Sequence, residues 1–467
     1  MLKSILNNIV FKNFSYLTIS TVISQLIALI TILKITSILN PNDYGLYTFL
    51  IAQGTLLLKI GDLGNRNIVI RTIARDPKQT NDLLVNGGIV RSLAIILLFL
   101  VYLVYNHFLG SLSSEHLLLI FIFTLVSCFS GLFELVFMGN QKMFPSSLIN
   151  LGYSVIWFLI VFFLPNRVMD ITLIFILYIA VNFFKAALFL FFLRYHKLLI
   201  GRVQNFVVST KQLFKESWPY FIMILIMLPL TSLSNNFLDI NSNNQQIGYF
   251  NLSQRLIGPL SLVITMMLTA VFPNLSALWV KDKVKFKNFL SKGFRFFMLA
   301  SIILCFLFTI FAKEVVIYLF PSEYLPAVAV CQIQVWYLFL TSIDSLIGVV
   351  LGAANMEKLI LRFGILYFFI CTPALYYGSH YGALGLSYSY VVSFGFCLVY
   401  VWFTFKRTLQ LEIKHNGRLW ALGLGLFAIS YFLPSNTSLA HKLLLSTLIL
   451  LVFGSYLFIS YKSTRVQ

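Results

Sequence analysis

Residues Phe14 to Leu39 read FSYLTISTVISQLIALITILKITSIL, with a single charge, Lys34. A helix rises about 1.5 Å per residue, so crossing a hydrocarbon core of about 30 Å takes roughly twenty mostly apolar residues. This run is long enough. It is too long for the apolar region of a secretory signal, and no small-residue cleavage site follows it, so it is expected to stay in the protein as a spanning helix.

Runs of this kind recur along the whole chain. By the same length rule there are fourteen candidates, at approximately 14–38, 44–64, 84–106, 116–138, 146–164, 171–193, 217–239, 248–275, 293–312, 326–352, 359–377, 382–405, 418–434 and 442–461. Composition agrees: 59% of the 467 residues are hydrophobic and 10% are charged, too few polar groups to cover several soluble domains. The expected fold is therefore an all-α integral membrane protein. The net charge of +19 would point a soluble protein toward nucleic acid. Here the basic residues lie in short segments between apolar runs, which excludes that reading. With the N-terminus in the cytoplasm, 26 of the 34 Lys and Arg fall on inside segments, three (Arg167, Lys313, Lys442) fall outside and five lie within spans. That asymmetry predicts fourteen spans with both termini on the cytoplasmic side.

A faint repeat divides the chain. Lys12 and Gly45 are 33 residues apart, as are Lys215 and Gly248, each pair marking the start of one span and the opening of the next. Arg91 after Gly88 corresponds to Arg295 after Gly293. A six-span offset keeps both halves in one orientation. The expected organisation is an N-terminal lobe (1–200), a second lobe (201–410) and an appended helix pair (411–467). The five cysteines lack paired ligand spacing and the six histidines lie near helix ends or in loops, so packing and interfacial roles are expected and no metal or cofactor site is assigned.

The segment Leu39-Asn40-Pro41-Asn42-Asp43-Tyr44-Gly45-Leu46-Tyr47, then Ile60-Gly61-Asp62-Leu63-Gly64 and a basic stretch containing Arg71-Thr72-Ile73-Ala74-Arg75, resembles the N-terminal signature of the polysaccharide transporter family. These are the Wzx-type O-antigen flippases of the MOP superfamily, which also holds the MATE exporters and the lipid II flippase. The resemblance implies a protein that turns an undecaprenyl-pyrophosphate-linked oligosaccharide from the cytoplasmic to the periplasmic leaflet. It also implies that spans 1, 2, 7 and 8 line a central cleft, and it adds the polysaccharide polymerase and chain-length machinery to membrane lipids as candidate partners. Physically, Pro41 and Asn42 stop the first span, Asp43 caps the second and Gly45 permits close packing.

Charges inside a span are costly and usually face a cavity or a partner. The basic ones are Lys34, Lys59, Arg91, Lys185 and Arg255; among the acidic ones Asp344 lies deep, whereas Asp62, Glu134 and Asp239 lie near span ends. Polar residues at helical spacing mark four spans: Ser20, Ser24 and Thr31; Thr48, Thr55, Lys59 and Asp62; Ser232, Asn235, Asn236 and Asp239; Asn251, Gln254, Arg255 and Gly258. These are the spans that the resemblance places around the cleft. Arg255, Lys59, Lys34, Arg91, Lys185, Asp344, Asn235 and Asn251 are accordingly the candidate substrate-binding residues, arginine suiting bidentate phosphate contact and lysine a point charge. Lys34, Lys59 and Arg91 also lie close enough to span ends to snorkel, and Lys185 and Asp344 are candidate partners for each other. Pro229 and Pro259 are expected to kink spans 7 and 8, and the basic segments 66–78, 194–215 and 281–295 to set topology and touch anionic lipid.

Two other functions compete. A MATE-like cation or drug antiporter would favour carboxylates in its cavity and twelve spans. A polysaccharide polymerase or ligase would be expected to carry a large periplasmic loop, and the longest outer connections here are short. No phosphate-binding Gly-rich loop with Gly-Lys-Ser/Thr occurs, so hydrolysis of ATP by this chain is not expected.

Overall fold

The computed structural model describes residues 9–110, 112–165 and 170–410, with short pieces at 423, 425–428, 441–444 and 446–447. Its helices are α1 (Ile9–Thr36), α2 (Pro41–Gly61), α3 (Arg66–Arg75), α4 (Thr80–Leu109), α5 (Ser114–Gly139), α6 (Met143–Phe163), α7 (Ile171–Tyr195), α8 (Phe206–Thr231), α9 (Ser234–Asn241), α10 (Asn244–Lys281), α11 (Lys283–Leu319), α12 (Ala327–Ala353), α13 (Glu357–Ser379) and α14 (Gly382–Thr408). No strand occurs among the described residues. Only α3 and α9 are too short to span. Among the described residues eleven helices qualify as spans by length and apolarity, twelve when α2 and α3 count as one bent span. The twelve long helices answer in order to the first twelve sequence candidates; the last two, 418–434 and 442–461, lie mostly outside the described residues.

Local chemistry sets the helix ends. Asn40 caps α2, its side chain accepting from the Asp43 amide at 2.9 Å, and Pro41 occupies the first turn, where its missing N–H costs nothing. The cap is thus Asn40 and not Asp43, whose Oδ2 instead accepts from Asn40 Nδ2 at 2.9 Å. At the other end Leu63 and Gly64 take positive φ (49° and 74°) and the axis turns by 53° into α3. A Cβ on Gly64 would stand 2.7 Å from Phe221 N and 2.9 Å from Ser217 O, so α8 packs directly against this corner.

The basic segments are more structured than a loop reading allows. Residues 66–75 form α3, whose Ile68, Val69 and Ile73 enter a buried cluster with Leu132, Leu135 and Phe137 of α5 and Phe189 of α7. Residues 281–295 are helical except at Asp282, whose Oδ1 accepts from the amides of Val284 (3.0 Å) and Lys285 (2.9 Å) and starts α11. Amphipathic helices with charged outer faces look like loops when only charge is counted. Span 7 is likewise broken: α8 ends at Thr231, two residues past Pro229, and α9 restarts at Ser234.

Residue contacts divide the chain into two units, Met1–Asn251 and Leu252–Gln467. In the first, α1 runs along α6, α5 along α7, and α2, α3 and α4 pack on α5. In the second, α11 packs on α12, α12 on α14 and α13 on α14. There Lys442, which the sequence places at the outer start of the last span, is buried and donates from Nζ to Glu314 Oε1 (2.6 Å) and Ile310 O (3.2 Å). All five cysteines are buried free thiols.

Candidate functional site

The first unit contains a cavity of about 590 Å³ where the corner after α2 meets α4, α5 and α8. Its walls include Leu58, Leu135, Met223, Ile224 and Met227, and its polar lining includes Lys59, Asp62, Arg66, Asn67 and Arg91. Lys59 is in the last turn of α2, and its Nζ donates to Ser232 Oγ at 2.8 Å across the break between α8 and α9. Arg91, 3% exposed within α4, places Nη2 2.7 Å from Asp62 Oδ1; its Nε has no hydrogen-bond partner among the described residues. Asp62 also accepts from the Arg66 amide at 3.2 Å through Oδ2. Arg66 Nη2 lies 3.8 Å from Met138 Sδ, with no carboxylate bound to it among the described residues.

The cavity therefore holds three cationic side chains against one carboxylate: Arg91 is buried, whereas Lys59 and Arg66 are exposed. Around the buried Arg91 charge is screened less than in water. Arg91 is neutralised by Asp62, which leaves Lys59 and Arg66 as cations with capacity for an anion. Just outside this cavity Arg71 Nη2 meets Glu216 Oε2 at 2.5 Å, tying α3 to α8.

A second polar group continues along α2. Gln53, fully buried, accepts through Oε1 from Asn236 Nδ2 of α9 at 3.1 Å. Beside it, Asn251 Nδ2 donates to Asn235 Oδ1 at 2.9 Å.

The residues singled out from sequence thus separate. Lys59 and Arg91 share the cavity, and Asn235 and Asn251 pair with each other. Lys34, half-buried in the last turn of α1, does not line the cavity. Lys185 of α7 sits over the rings of Tyr153 (4.9 Å) and Phe189 (5.8 Å), a cation–π setting. Arg255 and Asp344 belong to the second unit; Arg255 is exposed, and Asp344 accepts a short hydrogen bond from the Tyr367 hydroxyl. Lys185 and Asp344 each have neighbours within their own unit. Sequence alone does not single out Arg66 and Gln53: Arg66 reads as one more basic residue of a loop, and Gln53 is neutral.

Among the described residues no group of three or more His, Cys, Asp or Glu is placed to hold a metal ion. No curated protein matches the chain by sequence. Solved structures do match it. Lipid II flippase MurJ in an inward closed conformation superposes with a TM-score of 0.73 at 16% identity, covering 95% of this chain and 99% of that one. An inward-facing multidrug resistance MATE family transporter of the MOP superfamily gives 0.65 at 14% identity, over 84% and 96%. The Vibrio cholerae MATE transporter VcmN in its bent form gives 0.56 at 16% identity, over 85% and 97%. Likeness at this identity establishes the fold, a multi-pass membrane protein built as these flippases and transporters are. Residues 10–279 match the family described as polysaccharide biosynthesis protein, more than half of the sequence, and the chain belongs to that family.

Proposed function

We propose that this protein is a flippase that carries an undecaprenyl-pyrophosphate-linked oligosaccharide from the cytoplasmic to the periplasmic leaflet of the inner membrane by alternating access. The observation that carries this reading is the cavity in which Lys59, Arg66 and Arg91 face the lone carboxylate of Asp62. A surplus of cations complements the ionised oxygens of a pyrophosphate, whereas an exporter of cationic drugs needs the opposite balance. Membership of a polysaccharide biosynthesis family supports the sugar half of the reading. In this reading residues 1–200 and 201–410 act as two lobes with 411–467 appended, both termini are cytoplasmic, and polymerase and chain-length proteins take the product. Arg255, Lys34, Lys185, Asp344, Asn235 and Asn251 remain proposed contacts along the path, secondary to Lys59 and Arg91.

The test is a deletion strain complemented at matched protein level. Loss of the protein should leave the lipid-linked repeat unit in the cytoplasmic leaflet, and Lys59→Met with Arg66→Gln should restore surface polysaccharide at least about tenfold less well than the parent, a loss of about 1.4 kcal/mol in transport efficiency. Accumulation of the intermediate in the periplasmic leaflet would make the protein a polymerase. Drug sensitivity with normal polysaccharide would make it an antiporter.

A further inference from the structure

The second unit has a cavity of its own, about 270 Å³, lined by α10 and α12. Gln254 and Ser261 face it from α10, and Gln334, Tyr337 and Thr341 from α12. Each helix thus contributes an amide and, two turns further on and about 10 Å along the axis, a hydroxyl on the same face. Among the described residues no charged side chain lines this cavity.

Much of the hydrogen-bonding capacity of the lining is unused. Gln334 is 6% exposed, yet its Oε1 is buried without a partner among the described residues, and its Nε2 gives no hydrogen bond to them. Turning the amide over exchanges donor and acceptor and leaves the group just as unsatisfied. Ser261 directs its hydrogen to Ile257 O (3.4 Å) and Thr341 to Tyr337 O (3.0 Å) and Leu338 O (3.1 Å), so both oxygens keep lone pairs with which to accept. Tyr337 adds an aromatic wall, its ring fixed by Tyr390 and Phe394 at centroid distances of 4.8 and 5.2 Å.

Native structures rarely leave a buried amide unsatisfied, least of all within a span, so Gln334 implies an occupant, and the lining sets its chemistry. A phosphate brings only acceptors and calls for cations, which this lining lacks. A cation calls for a carboxylate; Asp344, three residues past Thr341, is not in the lining and accepts from the Tyr367 hydroxyl instead. A hydrocarbon chain would leave two amides and two hydroxyls without partners. The complement is a neutral group that gives and accepts hydrogen bonds at several points around an apolar ring, which describes a sugar. The volume equals that of roughly nine waters at about 30 Å³ each, room for one such ring.

We infer that this cavity is where the protein recognises a neutral sugar ring of its lipid-linked substrate, with Gln334 as the central hydrogen-bonding residue and Gln254, Ser261 and Thr341 around it. The inference rests on the flippase reading above. Bound water offers the same hydroxyl chemistry, and the experiment separates the two sources.

Purified full-length protein in nanodiscs is titrated with two probes: the lipid-linked repeat unit extracted from the host, and undecaprenyl pyrophosphate bearing no sugar. The parent should bind the saccharide-bearing lipid more tightly. Gln334→Met and Thr341→Val, which keep the side-chain shape and remove its polarity, should each weaken that lipid about tenfold. Ser261→Phe, which fills the cavity, should bring it down to the affinity of the sugar-free lipid. All three variants should bind the sugar-free lipid within about twofold of the parent, which also certifies that they are folded. If they bind both probes as the parent does, the cavity holds only water and the inference fails. Equal weakening of both probes would reduce these residues to a structural role and also overturn it. A parent that binds both probes equally removes sugar recognition and leaves the flippase reading standing; a parent that binds neither removes both.

Discussion

At the scale of single residues the decisive feature is the ion pair of Arg91 and Asp62. From sequence each was a charge near the end of an apolar run, with snorkelling an open alternative for Arg91. Their pairing joins residues 29 apart on separate helices, a tertiary fact that no local pattern encodes. Breaking a buried pair by removing one partner typically costs about 3–5 kcal/mol, because the other charge stays behind without compensation. Asp62→Ala and Arg91→Ala should therefore each lower the thermal midpoint of the detergent-purified protein, and the double variant should lose less than the two losses added together. Additive losses would mean that the two charges are independently solvated. Lys59 differs, because its partner is only a hydroxyl: Lys59→Met should leave the midpoint nearly unchanged while reducing transport. Intramembrane charges were legible as candidates from the sequence, whereas which of them share a cavity was not. The neutral Gln53 was invisible to a search guided by charge.

At the scale of helices, run length alone located twelve long elements, because a span must be apolar for its whole crossing. Their ends were less legible. The sequence read 66–78 and 281–295 as topology-setting loops, and both contain amphipathic helix whose apolar positions are too few to register as a span. Asp282 shows how little is needed to separate two such helices. The backbone N–H groups of Lys285 and Val284 hold its carboxyl below the usual carboxylate range. A depressed folded-state value means that the cap is fully formed above the ordinary carboxylate range and is lost only as pH falls through that lower value. Protection of the Val284 and Lys285 amides, measured against the intrinsic exchange rate at each pH, should accordingly fall in acid, and Asp282→Ala should show the lower protection already at neutral pH. Packing between helices gives a sharper test. The repeat glycines Gly45 and Gly248 face each other so closely that a Cβ on Gly45 would run into the backbone of Asn244 and Gly248. Gly45→Val should prevent accumulation of folded protein in the membrane. Gly87→Ala in α4, where a methyl group meets nothing within 4 Å, should be neutral or stabilising by up to about 1 kcal/mol. Equal tolerance at both sites, measured as detergent-extracted monodisperse yield, would contradict the close approach at Gly45.

At the scale of the whole molecule the question is which side of the membrane each connection occupies, and α10 answers it most directly. The helix runs from Asn244 to Lys281, 38 residues, about 57 Å at 1.5 Å per residue. A bilayer with its headgroups is only about 40–45 Å thick, so a helix of this length and apolarity has its two ends on opposite faces even when tilted. The segment around its start, Asn241–Gln246, is polar and uncharged, whereas the segment at its far end carries Lys281, Lys283, Lys285 and Lys287. The excess of basic residues assigns the second end to the cytoplasm in the proposed orientation. Asn243 and Val284 are exposed, and all five native cysteines are buried, so the natural thiols should give little background. Asn243→Cys should be modified by a membrane-impermeant maleimide added to intact cells, and Val284→Cys only after the membrane is made permeable. If Val284→Cys reacts in intact cells and Asn243→Cys does not, the orientation is inverted, and the direction of transport inverts with it. If both react from outside, α10 does not cross the membrane, and the count of spans along the rest of the chain fails as well, since every later connection takes its side from this one.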